Sequence, residues 1–236
     1  MSRRALRQRL ESLELAGVTS LPKRRQQSVE AQQAPSRLAA EQPSGLNAQE
    51  ALAVLRDEVA ACQQCGELAA GRTQTVFGIG PVAPRLCFFG EAPGADEDAC
   101  GEPFVGRAGQ LLTKIIEACT LSRDEVFILN VLKCRPPGNR RPQPDEVANC
   151  RPFFERQFAL LKPEFICCLG TSAAHALLET DKPIGALRNQ WFDYHGSRVI
   201  CTYHPSYLLR NPPAKRDVWE DMQRLMAAMG VDLPRR

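Results

Sequence analysis

Residues 85–94 read Arg-Leu-Cys-Phe-Phe-Gly-Glu-Ala-Pro-Gly. The apolar run Arg85–Phe89 is too short for a helix, and Gly90 stops it, so it reads as a buried strand that passes directly into a loop. Three more runs have this form: Val126–Val131, Glu164–Leu169 and Arg198–Thr202. Helical patterns at Ala108–Cys119, at Asp145–Leu160 after Pro144, and at Ser172–Leu178 separate them, and Lys215–Met229 closes the chain. Alternation of this kind predicts right-handed crossovers and an α/β fold, a three-layer α/β/α sandwich with a central, mostly parallel four-stranded sheet. In such sheets ligands bind beyond the carboxyl ends of the strands, so the functional residues are sought in the loops after each run.

Working outward, Asn47 with Glu50 three residues on forms a capping box ahead of a helix running toward Ala61, and the folded domain is taken as residues 47–236. Residues 1–46 differ. They carry eight basic side chains against four acidic ones, place Leu6, Leu10 and Leu13 at helical spacing, and then run through Ser, Gln, Pro and Ala. This segment reads as a basic, partly helical arm on a flexible linker; a solvated leader is favoured over an arm that docks a protein partner or tethers DNA.

The whole chain has 236 residues, 30 Lys and Arg against 27 Asp and Glu for a net charge of +3, and 44% hydrophobic residues. That composition excludes wholesale disorder and a collagen-like chain, and no apolar stretch of about 18 residues signals a membrane span. With no secretory leader, ten cysteines in a chain this large read as reduced thiols of a cytoplasmic protein. Cys87, Cys167, Cys168 and Cys201 fall in strands and Cys119 at a helix end, which assigns them to the core. Cys62 and Cys65 form a C-x-x-C, and Cys134 and Cys150 lie outside any apolar run. These four suit tetrahedral zinc or an iron-sulfur cluster equally well by spacing, and Cys100 is left over.

The strand-end loops carry the chemistry. The first, Gly90 to Gly94 with Asp96, Glu97 and Asp98 beyond, has glycines that let backbone amides approach a ligand; it is neither a dinucleotide fingerprint nor a Walker loop. The second follows Asn130, whose carboxamide in an apolar strand demands partners that a base edge or the backbone could supply. It continues through Lys133, Arg135, Arg140 and Arg141, a proline-stiffened basic set suited to phosphates or to plain solvation. The last runs from Thr202 to Pro212 and includes His204, the one histidine of three at a strand's carboxyl end.

Three motifs, GEAPGADEDACGEPFVGRAGQLL, LNVLKCRPPGNRRPQPDEV and TYHPSYLLR, in this order and spacing resemble the family 4 uracil-DNA glycosylases, the iron-sulfur type of bacteria and archaea. The resemblance spans roughly Cys62 to Trp219 and leaves the arm outside. It implies a 4Fe-4S cluster on Cys62, Cys65, Cys134 and Cys150, structural in the family. It implies uracil contacts from Glu91, Ala92, Pro93, Phe104, Asn130 and His204, with Glu91 and His204 catalytic and Glu97 and Asp98 as further candidates for activating water. DNA contacts would come from Lys133, Arg135, Arg140, Arg141, Ser206, Leu208 and Arg210, with Leu208 or Leu209 filling the gap left by a flipped base. The implied protein is a monofunctional, monomeric hydrolase of base-excision repair acting on uracil-containing DNA, nucleoid-associated when bound. The alternatives are a relative that binds or covalently traps uracil-DNA, for which the basic insertion after the PFVG segment is missing, and a metal-stabilised nucleic-acid-binding module without catalysis.

Overall fold

Asn47 opens the first helix as its sequence predicts. Its Oδ1 accepts from the Glu50 N–H at 3.0 Å, and Glu50 Oε2 accepts from the Asn47 N–H at 2.9 Å, a reciprocal cap over α1 (Ala48–Ala61). The computed structural model describes residues 46–233, so the arm predicted for residues 1–46 lies outside the described residues but for Leu46.

After α1 and a short α2 (Gly66–Gly71) the chain alternates as predicted: β1 (Leu86–Gly90), α3 (Ala95–Cys100), α4 (Arg107–Ala118), β2 (Phe127–Asn130), α5 (Pro144–Leu161), β3 (Phe165–Leu169) and α6 (Thr171–Leu178). There follow α7 (Ile184–Leu187), β4 (Trp191–Tyr194), β5 (Ser197–Thr202), α8 (Pro205–Arg210) and α9 (Lys215–Met229). The sheet order is β2-β1-β3-β5-β4. β1, β2, β3 and β5 pair in parallel, and their four core runs are the four predicted strands. The sheet has five strands, correcting the expected four, because β4 adds an antiparallel edge to β5. β4 exposes Trp191 while Phe192 and Tyr194 pack against the core, so it alternates along its length where the central strands are buried on both faces.

That double burial makes three layers. Cys87, Phe89, Leu129, Ile166, Cys168 and Val199 face α1, α5 and α6, whereas Leu86, Phe88, Ile128, Phe165, Cys167 and Ile200 face α4 and α9. Cys87, Cys119, Cys167, Cys168 and Cys201 are all buried, as packing residues should be. None of the helices among the described residues is long and apolar enough to cross a membrane.

One ion pair is embedded in this core. Arg188 Nε donates to Asp221 Oδ2 at 2.7 Å, Thr202 Oγ1 donates to the same oxygen at 2.6 Å, and Asp221 is fully buried. The Arg188 guanidinium also lies 4.6 Å from the Tyr203 ring centroid, so the pair braces the end of β5, where the His204 loop begins. Arg188→Met leaves a buried carboxylate without its counter-charge and is expected to cost about 3 kcal/mol in urea unfolding at neutral pH. A loss under about 0.5 kcal/mol, the level of an ordinary surface substitution, would contradict this role.

Candidate active site

Parallel pairing brings the predicted loops together at the carboxyl end of the sheet. Gly90 ends β1 directly opposite Asn130, which ends β2. Gly170 follows β3 and donates its N–H to the Thr202 carbonyl at 2.8 Å, bringing the start of α6 beside the end of β5 and His204. Glu91, Ala92, Pro93, Phe104, Asn130 and His204 line one cavity of about 260 Å³. A second cavity of about 520 Å³ shares Glu91, His204 and Ser206 and adds Arg141, Ser172 and Arg210.

Gly90 leaves no room for a side chain. A Cβ there would lie 2.3 Å from Asn130 Oδ1 and 2.5 Å from Phe104 Cζ, closer than any real contact allows, so only glycine leaves room for both side chains. Asn130 is buried, and its Oδ1 has no hydrogen-bond partner, an uncompensated acceptor at the wall of the cavity. The Phe104 ring stands 5.6 Å from the His204 ring at an angle of 34°. His204 Nδ1 accepts from the Ser206 N–H at 3.1 Å and lies 2.8 Å from Ser206 Oγ. An accepting Nδ1 puts the proton of the neutral ring on Nε2. Desolvation, reinforced by Arg210 and opposed by Glu97, lowers the His204 pKa to about 4, so the ring is neutral at physiological pH.

Glu91 accepts a short hydrogen bond at Oε2 from Ser172 Oγ. Ser172 was not foreseen; the signal for it was Gly170, which directly follows β3 and opens a strand-end loop of its own. Of the two further candidates for water activation, Glu97 lines the smaller cavity with His204 and Asp98 is not among its lining residues. Glu97 Oε1 accepts from the Val105 and Gly106 N–H groups, each at 2.9 Å, and its Oε2 accepts from the Gly94 N–H at 3.0 Å, so its carboxylate ties two loops together. Asp98 is buried and accepts from the Thr73 N–H through both oxygens.

The basic set divides. Lys133 is corrected as a phosphate contact, because it is 1% exposed and its Nζ donates to the Asn130 carbonyl at 2.7 Å. Burial pushes its pKa down to about 7. Arg140 is tied to Glu146 and Glu67, and Arg135 donates to Asn139 Oδ1, whereas Arg141 and Arg210 stand exposed beside the larger cavity. Leu208 is corrected as a wedge: it is buried against α4 and α9, and Tyr207 and Leu209 are the exposed apolar side chains of α8.

Cys62, Cys65, Cys134 and Cys150 come together where α1 ends, the basic loop begins and α5 starts. They feel one another electrostatically, and burial raises the pKa of Cys65, Cys134 and Cys150, the last to about 12. N–H donors already face the sulfurs: Arg72 Nη1 lies 3.1 Å from Cys134 Sγ and Asn149 Nδ2 lies 3.4 Å from Cys65 Sγ. Among the described residues no three His, Cys, Asp or Glu side chains converge on a single metal ion. Four neighbouring thiols with N–H donors directed at two of the sulfurs are the donor set that an iron-sulfur cluster uses.

The Uracil DNA glycosylase superfamily model matches residues 77–223. A type-4 uracil-DNA glycosylase of Thermotoga maritima is 41% identical, covering 75% of this chain and 93% of that protein. Proteins of the same name from Saccharolobus solfataricus and Archaeoglobus fulgidus are 39% and 36% identical over 75% of this chain, with 86% and 92% of their own lengths covered.

The depressed His204 pKa has a direct reading by nitrogen NMR of the histidine rings. The Nε2–H tautomer should persist from pH 8 down to pH 5, with half-protonation near 4; a midpoint near the ordinary value of 6.5 would contradict the burial argument. The folded ring releases its proton more readily than the unfolded one. The stability it carries is therefore complete above about pH 6.5 and is lost as the pH falls toward 4.

Proposed function

The chain belongs to the uracil-DNA glycosylase superfamily, and from that premise we propose that it excises uracil from DNA by hydrolysing the N-glycosidic bond, leaving an abasic site for base-excision repair. The observation that carries this reading is the buried Asn130 carboxamide, its Oδ1 unpartnered, at the wall of a cavity shared with Phe104 and His204.

A base in a duplex must leave the stack before an enzyme can reach its glycosidic bond, at an unstacking cost of a few kcal/mol. The Phe104 ring offsets part of that cost as a stacking platform. Asn130 Oδ1 accepts from uracil N3–H while Nδ2 donates to O4; neutral cytosine presents the reverse pattern and leaves both contacts mismatched. As the bond from C1′ to N1 breaks, its electron pair stays with uracil and charge develops on O2. A neutral His204 donating from Nε2 stabilises that charge without becoming an acid itself. Glu91, held by Ser172 through one oxygen, uses the other to place the water that captures the oxocarbenium sugar, and the water's proton passes to that carboxylate or to solvent. Arg141 and Arg210 take flanking phosphates, and Tyr207 or Leu209 fills the vacated stack.

Cys62, Cys65, Cys134 and Cys150 would hold a 4Fe-4S cluster that serves as a structural tie and supplies no step of the hydrolysis. Purified under exclusion of oxygen, the protein should carry iron and acid-labile sulfide in equal amounts; zinc in place of iron would contradict the assignment.

Single-turnover excision from a uracil-containing oligonucleotide tests the reading, and absence of abasic product would end it. Asn130→Asp keeps an acceptor but loses the donor to O4 and sets a negative charge beside a developing anion. The expected loss is about a hundredfold, the size seen when one transition-state hydrogen bond is removed; an unchanged rate would take Asn130 out of base reading.

A further inference from the structure

Phe104 has a φ of 56°, the left-handed region that a bulky side chain rarely adopts, so its surroundings must hold it there. One support is α4: a Cβ on Gly109 would lie 1.9 Å from the Phe104 carbonyl carbon and oxygen, so the Phe104 peptide lies flat against bare backbone. The other is Arg123, in the single helical turn ahead of β2. Its Nη2 donates to the Pro103 carbonyl at 2.9 Å and its Nη1 to the Phe104 carbonyl at 3.1 Å, while Nη1 also reaches Thr113 Oγ1 at 3.2 Å. Thr113 in turn donates to the Gly109 carbonyl at 3.1 Å. The guanidinium fork thus spends its donors on two successive carbonyls and a hydroxyl of α4, a geometry that one ammonium nitrogen cannot span.

We propose that Arg123 is a positioning residue for base recognition, acting through Phe104: it clamps the Pro103–Phe104 peptides against α4 and fixes the ring at the height and tilt at which a flipped pyrimidine stacks. The inference rests on the stacking role given to Phe104 above. It assigns the ring's placement to a side chain more than fifteen residues away in sequence. Without the clamp the peptide relaxes toward an ordinary φ, and the ring leaves the cavity wall that it shares with Asn130 and His204.

A double-mutant cycle in single-turnover excision tests this. R123M in the wild-type background is expected to lose about tenfold to a hundredfold, the scale of a small misplacement of a binding group. In a F104A background, where no ring remains to be placed, R123M should cost less than about twofold, the scatter of independent sites. Inhibition by free uracil should weaken in R123M, a readout that loss of DNA contacts would not move. Losses of R123M that multiply fully with those of F104A, or unchanged uracil inhibition, would overturn the proposal. If R123M fails to fold, R123K keeps the charge without spanning both carbonyls and carries the same cycle with a smaller loss. A wild-type chain that yields no abasic product would overturn the glycosylase reading itself, an outcome distinct from an additive cycle.

Discussion

At position 90 the Asn130 carboxamide and the Phe104 ring close over the first strand with no space for a single methyl group on its backbone. The parallel register that sets Gly90 against Asn130 fixes one side of this approach, and the bare backbone of Gly109, with Arg123 behind it, fixes the other. A flat polar edge and a flat apolar face are thereby held against one cavity. Neither side chain could be so close to the strand if the sheet were built around any larger residue there, and close packing transmits the constraint to the loops.

Behind that cavity the structure is braced by charge. Glu97 ties the Gly94 loop to the Val105–Gly106 turn, and Arg188 with Asp221 anchors the end of β5. Lys133 joins the two halves of the account in one residue. Its ammonium holds the Asn130 carbonyl, its own backbone N–H is directed at the Cys150 sulfur, and its neighbour is Cys134. A cluster on the four cysteines would therefore stand beside the peptide that carries Asn130 while remaining outside the cavity.

Much of this was legible in the sequence because burial on both faces writes itself as unbroken apolar runs: β1, β2, β3 and β5 lie where Arg85–Phe89 and its three counterparts predict. β4 was not, since Trp-Phe-Asp-Tyr alternates and reads as surface, and its signal was the His195–Gly196 turn, both residues at positive φ. The strand-end loops bring Gly90, Asn130, Phe104 and His204 near one another at the carboxyl end of the sheet. What composition could not tell was which charged side chains turn inward. Lys133, Glu97 and Asp98 resemble a solvated or catalytic set in one dimension, yet each is engaged by backbone groups brought near by the fold. Leu208 and Leu209 are indistinguishable in sequence, and only the docking of α8 on α4 decides that the first is core.

Gly90, Asn130, Phe104 and His204 are proposed to form one pyrimidine-reading pocket. A crystal structure of the protein with free uracil tests it most directly. Uracil should lie along the Phe104 ring, with N3–H within hydrogen-bond distance of Asn130 Oδ1 and O2 facing His204 Nε2. Uracil bound elsewhere, or in this cavity with its N3 edge turned away from Asn130, would contradict it.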